Sequence, residues 1–363
     1  MNVGFIGAGK VGGALGRYFV AHDIPVTGYY DVCPPAAQRA AQHTATATFP
    51  DAASLAASSD TILLTVPDSV ITPAWHTLRD ACAEAGALEG KVICHCSGCM
   101  PARAIDDAAS CGAHAASAHP LLAVSDPLMN LGVLEGAHIT LEGDATAVDA
   151  LRGLLASLPN PLHAINEGDK VRYHAAAVLA SNLVLAPLAA AERLMASCGF
   201  DEHDAREALE PLVRGNVDAF CSRGAVGALT GPVERNDATT VEGHLRALDA
   251  HDPATARLYR VLTAALVGIA QAKHPDRDYA PLAGTLEPGA AAPADASAAS
   301  PSEPDPSAAA TTASPTGADP AASTPANVAA AAAPSAAASP SGSASTPAPS
   351  SASADTHPTP TTR

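Results

Sequence analysis

The 363-residue chain carries 37 acidic against 20 basic residues, a net charge of −17. An acidic body repels polyanions, so neither nucleic acid nor a membrane surface is an expected partner. From about Thr285 to Arg363 the chain is nearly all Ala, Pro, Ser and Thr. Such a segment buries too little apolar surface to offset the entropy of folding, so residues 281–363 are expected to form a disordered tail.

The folded part opens on Val3–Ile6, a short apolar strand. It runs into Gly7-Ala8-Gly9-Lys10-Val11-Gly12 and an Ala-rich helix reaching about His22. Strand, G-x-G-x-x-G and helix in that order describe a dinucleotide cradle. Gly7 allows the tight turn, Gly9 lets the backbone approach a diphosphate, and Gly12 lets helix and strand pack closely. The helix N-terminus offers free N–H groups to the phosphates. Ile24–Tyr30 reads as the second strand and ends in Asp31, nineteen residues after Gly12. An acid there binds the ribose 2′-hydroxyl of NAD. A 2′-phosphate would meet like charge, so Asp31 favours NAD over NADP. The bland alternative is that Asp31 only opens the turn before Pro34-Pro35.

Asp51 is placed to cap the next helix. Asp60–Val66 reads as a buried parallel strand ending in Pro67-Asp68, with a helix starting near Val70. Lys91–Cys96 is the next strand and ends in Ser97-Gly98. Shorter strands are expected near Ala115–Ala118, leading into His119-Pro120-Leu121, and near His138–Leu141, followed by a helix over Ala145–Leu158. This alternation predicts the α/β class, with a Rossmann doubly wound parallel sheet over residues 1–166. Ligands bind such sheets at the carboxyl ends of the strands. That rim gathers the Gly7–Gly12 loop, Val66, Pro67, Asp68 and Ser97. Cys94, His95, Cys96 and Cys99 invite a zinc reading. Cys94 and Cys96 share one strand face with His95 opposite, and no second Cys-x-x-Cys pair follows, so no metal is expected. Eight cysteines without a basic leader ahead of the first strand suit free thiols in a reducing, cytoplasmic setting.

From Gly168 the alternation stops, and an all-helical second domain is expected over residues 167–280. Its first helix, Lys170–Cys198, would carry Lys170, His174, Ser181 and Asn182 as a polar stripe on an apolar rod. The apolar run Ala175–Ala191 contains Ser181, Asn182 and Pro187. It is shorter than the roughly 20 residues of a membrane span, which favours a domain or subunit interface and a homodimer. Glu234, Arg235, Asn236 and Asp237 crowd a loop after the Gly231-Pro232 turn. Arg235 suits a substrate carboxylate held bidentately. Thr239 and Glu242 have capping-box spacing, and Val241, Leu245 and Leu248 form an apolar face.

The motifs Gly7–Gly12, Thr65–Asp68, His95–Gly98, His119–Leu121, Tyr173–Asn182 and Leu229–Asp237, in this order, resemble those of a bacterial family. That family joins a Rossmann-like domain to a C-terminal domain of unknown function and is usually described as NAD(P)-dependent oxidoreductases. More distantly the layout is similar to the 6-phosphogluconate dehydrogenase, ketopantoate reductase and pyrroline-5-carboxylate reductase superfamily. The resemblance implies a small-molecule substrate in the interdomain cleft. In the ketopantoate reductase pattern a catalytic Lys precedes the Asn at 182, with Pro-Leu at 187–188, but Val178 occupies the Lys position here. Arg235-Asn236-Asp237 departs from the family's more usual Arg-Gly-Asp.

Together these readings predict hydride transfer between nicotinamide and a small carbonyl, imine or hydroxy compound. Ser97 and Asn182 would position the substrate, and His119 or His174 would move the proton, work that imidazole suits at neutral pH. The absent Lys and the long tail motivate the alternative, a non-catalytic NAD(P)-binding sensor or scaffold. An S-adenosylmethionine-dependent methyltransferase is a weaker third reading, because the full glycine motif followed by Asp31 fits a dinucleotide better.

Overall fold

The structure, a computed structural model, describes residues 1–82 and 86–287. In chain order, β1 (Val3–Ile6), α1 (Lys10–Ala21), β2 (Val26–Tyr30), α2 (Pro34–Thr44), β3 (Ala47–Thr48), α3 (Ala52–Ala57), β4 (Thr61–Leu64) and α4 (Ile71–Ala81) come first. They are followed by β5 (Val92–His95), β6 (His114–Pro120), α5 (Leu131–Glu135), β7 (Ile139–Gly143), α6 (Ala145–Leu154) and β8 (Leu162–Ala164). The strands form one sheet in the order β3-β2-β1-β4-β5-β6-β7-β8. Every pairing is parallel except β6 with β7, where Ser117 faces Glu142. The strand order reverses between β1 and β4, which opens the crevice in which doubly wound sheets bind ligands.

Apolar strand residues feed both faces of the sheet. On one face Phe5, Leu63 and Leu141 pack with Leu15, Tyr18 and Phe19 of α1. On the other, Ile62, Leu64 and Ile93 pack with Leu55 of α3 and Trp75 of α4. Alternate residues of β4 serve opposite cores, as expected for a strand covered on both sides. Asp51 caps α3 by accepting from the Ser54 N–H at 2.7 Å. Strands β3 and β8 were not anticipated: each is only two or three residues long and leaves little periodic signal.

Helices follow to residue 284: α7 (Lys170–Ala180), α8 (Leu185–Ser197), α9 (Glu202–Ala228), α10 (Ala238–His251), α11 (Pro253–Lys273) and α12 (Ala280–Gly284). α8 packs on α9, α9 on α11, and α10 on both α11 and α12. Val241, Leu245, Ala270, Tyr279 and Leu282 make a small third core.

Three sequence expectations need correction. The helix expected over Lys170–Cys198 breaks at Ser181 (φ −126°, ψ −88°) and resumes as α8 after a short 3₁₀ turn. Pro187 explains the break, since its ring would collide with the carbonyl of Leu183 in a continuous helix. The Ser181 hydroxyl also bonds back to the Ala177 carbonyl at 2.7 Å, a contact that bends helices. The polar stripe computed for a straight helix therefore ends at Ser181. Second, α10 is capped by Asp237, which accepts from the Thr240 N–H at 3.0 Å and the Thr240 hydroxyl at 2.6 Å, not by Thr239. Third, the order expected to stop at 280 continues through α12, whose Leu282 is fully buried. The rest of the expected disordered tail, from 288, lies outside the described residues.

Candidate active site

At the end of β1 the chain turns through Gly7 with φ +101°. A Cβ on Gly7 would sit 2.6 Å from the Thr65 carbonyl, and one on Gly12 would sit 2.3 Å from the Gly7 carbonyl. Neither position tolerates a side chain. Around Gly9, in contrast, nothing lies within 4 Å of where a Cβ would be. α1 starts after Gly9 with no side-chain cap and no acid in its first turn; α2, α4, α7, α8 and α12 lack a side-chain cap too, but α1 is the helix that opens on the glycine loop, beside the empty space at Gly9. Uncapped N–H groups facing open space form an anion cradle. Its residues fit a dinucleotide diphosphate, with Gly9, Lys10, Val11 and Gly12 supplying the donors.

Beside the cradle lies a cavity of about 370 Å³ lined by Gly7, Gly9, Asp31, Val66, Pro67 and Val70, among others. Asp31 accepts from the Ala8 N–H at 2.7 Å and the Cys33 N–H at 2.8 Å, one bond to each oxygen. Each oxygen keeps a further lone pair, so Asp31 both braces the glycine loop and can hold a ribose hydroxyl. The Cys33 bond is the turn of the bland alternative, and the Ala8 bond joins the same carboxylate to the glycine loop.

The second half of the site lies where β5 and β6 end. Ser97 donates to Asp68 at 2.9 Å and accepts from the Cys99 and Met100 N–H groups at 3.2 and 2.9 Å. Its hydroxyl is thus fully used in fixing the loop, which leaves nothing for the substrate-positioning role expected of it. Beneath it, buried His95 bonds the Pro101 carbonyl through Nε2 at 3.1 Å and accepts from the Ser97 N–H through Nδ1 at 3.2 Å. Burial holds the His95 imidazole down to about 4, so it stays neutral. Burial also raises both neighbouring thiols, Cys96 to about 12.

Gly98 is where the imidazoles meet. A Cβ there would lie 2.7 Å from His174 Nδ1 and 2.9 Å from His119 Nε2. His174 Nδ1 is buried and has no hydrogen-bond partner. His119 Nδ1 pairs with the Tyr173 hydroxyl at 2.8 Å. Burial, and then the charges of Lys170 and His174, push His119 down to about 4 against the opposing pull of Asp68. The arrangement is two imidazole nitrogens packed against Gly98, one on a ring whose Nδ1 is unpartnered and the other on a ring backed by a phenol.

Lys170 anchors this arrangement. Its side chain is completely buried, and its ammonium donates to Ser117 at 2.6 Å. Ser117 donates to Glu142 at 3.1 Å, and Glu142 also accepts from the Ala102 N–H at 2.8 Å. Burial lowers the Lys170 ammonium, with Glu142 opposing. The contact ties the first turn of α7 to β6 two residues before His119, and so sets Tyr173 and His174 against His119.

The remaining sequence candidates lie apart from this cluster. Asn182 is exposed in the turn after α7 and accepts from Ser181 at 3.0 Å. Arg235 is exposed on the loop before α10. Its neighbours in the charged cluster serve the fold. Glu234 receives His274 at 2.5 Å, and Asn236 holds the left-handed φ of +58° while donating to the Asp278 carbonyl at 2.8 Å. That conformation explains why glycine would suit position 236. Sequence reasoning missed Tyr173, Gly98 and the Lys170–Ser117–Glu142 chain as parts of the site. The one signal was on β6, where the two-residue period puts Ser117 and His119 on the same face.

The geometry defines a nucleotide-binding Rossmann-like domain continued by a helical one. Residues 1–120 match the model of a Rossmann-like domain, and residues 137–266 match a domain of unknown function, DUF2520. The chain thus carries both modules, one after the other. The second match begins inside the sheet, ahead of β7, so the modules divide earlier in the chain than the end of the strands at 164. A protein of Thermotoga maritima has the same fold, with a TM-score of 0.59 at 23% identity over 75% of this chain and 99% of its own. A Bacteroides fragilis protein provisionally assigned as an NADP oxidoreductase aligns with a TM-score of 0.56 at 20% identity, over 74% and 98% of the two chains. An imine reductase of Streptomyces aurantiacus aligns with a TM-score of 0.52 at 16% identity, over 79% and 100%. No functionally curated protein matches the chain.

Proposed function

We propose that the protein is a cytoplasmic NAD(P)-dependent oxidoreductase acting on a small carbonyl, imine or hydroxy compound bound above Gly98. The observation that carries this reading is the convergence of His119 and His174 over a residue without a side chain, on the rim that also holds the nucleotide cradle. When bound, the nicotinamide supplies or accepts the hydride. The residues of the chain handle the rest. Gly9 and the first turn of α1 hold the diphosphate, Asp31 holds the ribose, and the Ser97–Asp68 bond fixes the loop beneath the reacting atoms. His174 Nδ1 gains its missing partner from the substrate heteroatom. In the tautomer in which His119 Nδ1 accepts from Tyr173, Nε2 presents a hydrogen toward Gly98, where it can donate a hydrogen bond to the substrate heteroatom.

The same structure favours an assembly of two copies. α7, α8, α9 and α11 leave Leu179, Leu185, Leu212, Phe220 and Val261 between 59% and 69% exposed. The stretch Glu167–Ser197 is long and apolar enough by composition to cross a membrane, and its apolar 18-residue window is almost wholly exposed. Its bend at Ser181, and the continuation of the apolar surface onto α9 and α11, fit a second protein surface better than lipid.

The test is turnover of purified protein with NADH and NADPH against 2- and 3-oxoacids and cyclic imines. Oxidation of a cofactor by wild type that drops in His174→Ala supports the reading. Tight cofactor binding without turnover on any substrate would favour the sensor or scaffold instead.

A further inference from the structure

On the far side of the glycine loop from the adenosine cavity is a second cavity of about 380 Å³, between α1 and α2. Its lining includes Gly9, Lys10, Arg17, Arg39, His43 and Pro127, and no acidic side chain. Four basic residues facing one hollow are unexpected in a chain of net charge −17. Arg17 has a structural task, donating to the Pro127 and Met129 carbonyls at 3.1 and 3.2 Å and so holding that loop over α1. Lys10, Arg39 and His43 have none. Among the described residues no acidic group lies within ion-pair distance of any of them. Like charges gathered without counter-charge repel one another, and an anion relieves the repulsion.

The position of the hollow says which anion. Gly9 lines both cavities, and Ala8, which lines the second, donates to Asp31, which lines the first, at 2.7 Å. A ribose hydroxyl held by Asp31 therefore lies next to the second hollow. We infer that Lys10, Arg39 and His43 receive a phosphate carried on the ribose 2′-oxygen, so that the protein prefers NADP to NAD. This reverses the preference expected from Asp31 alone. The carboxylate already accepts from two backbone N–H groups, and the Lys10 and Arg39 cations stand beyond it together with the His43 imidazole. Arg39 offers the paired donors that match a phosphate, while Lys10 contributes a point charge. The inference rests on the dinucleotide reading of the cradle, and deepens it.

Calorimetry on the full chain tests it, with NADPH, NADH, 2′,5′-ADP and 5′-ADP as probes. NADPH should bind at least tenfold more tightly than NADH, and 2′,5′-ADP more tightly than 5′-ADP. Arg39→Ala, at an exposed helical site where folding is not at stake, should narrow both ratios toward one, and Arg39→Lys should restore them in part. NADH binding as tightly as NADPH, or ratios untouched by Arg39→Ala, would overturn the inference while leaving the oxidoreductase reading intact. If neither nucleotide binds, both fail together.

Discussion

Gly98 shows how much one missing methyl group decides. A Cβ at 2.7 and 2.9 Å from two imidazole nitrogens must displace them, and both belong to side chains that can swing aside. Gly98→Ala is therefore expected to fold with little change in Tm yet lose about a hundredfold in kcat/KM, because displacing a reacting group by about 1 Å costs that much. Unchanged turnover would remove the imidazole pair from the mechanism. His95 and His119 make a second, thermodynamic prediction. Both are held near 4 in the folded protein, chiefly by burial, against an ordinary 6.5. The unfolded chain binds their protons first, so their contribution to stability is complete above about 6.5 and is lost as pH falls toward 4. Urea unfolding across that window should show stability dropping with uptake of protons on unfolding. In Lys170→Met, loss of a neighbouring positive charge should move the His119 NMR titration upward.

Two helices, α10 and α1, begin differently: the first has a side-chain cap and the second has none. Asp237 caps α10 through two bonds to Thr240, and Asp237→Ala should cost about 1–2 kcal/mol in urea unfolding. α1 lacks such a cap. Gly9 has φ −77° and open space where its Cβ would be, so an acid fits there both sterically and as a helix cap. Gly9→Asp should keep or raise Tm while abolishing nucleotide binding. A lowered Tm would mean the loop, not the ligand, needs that glycine. The same contrast explains what could be read in advance. β1, the glycine loop, α1 and Asp31 lie within thirty-one residues of one another, and their pattern is local. The strands β4 and β5 were legible for the same reason. The break at Ser181 turns on Pro187, a residue that either a kinked helix or two separate helices can accommodate, so local pattern alone does not distinguish them. Lys170 read as one polar residue of a stripe, because its partners Ser117 and Glu142 are 53 and 28 positions away.

Across the whole molecule, the sheet has two full cores, whereas the helical region has one small one. The helices spend much of their apolar surface outward. Analytical ultracentrifugation should therefore find a dimer, and Leu212→Glu combined with Phe220→Glu should yield monomer. A wild type that sediments as a monomer in plain buffer would remove the second copy, and one that requires detergent would point to lipid. Strand pairing connects residues far apart in sequence, so assembly of this kind leaves little trace in local patterns. Exposure on four helices at once became visible only when they were seen side by side.

The division between the two modules runs through the proposed reaction centre. His119 lies at the end of the first module, and Tyr173 and His174 belong to the second, with Lys170 tying them to Ser117 across the seam. On the proposed reading, neither module alone carries the whole set of proton-handling groups. A chimera joining this first module to a distant relative's second would keep its grip on the dinucleotide while its two histidines no longer met.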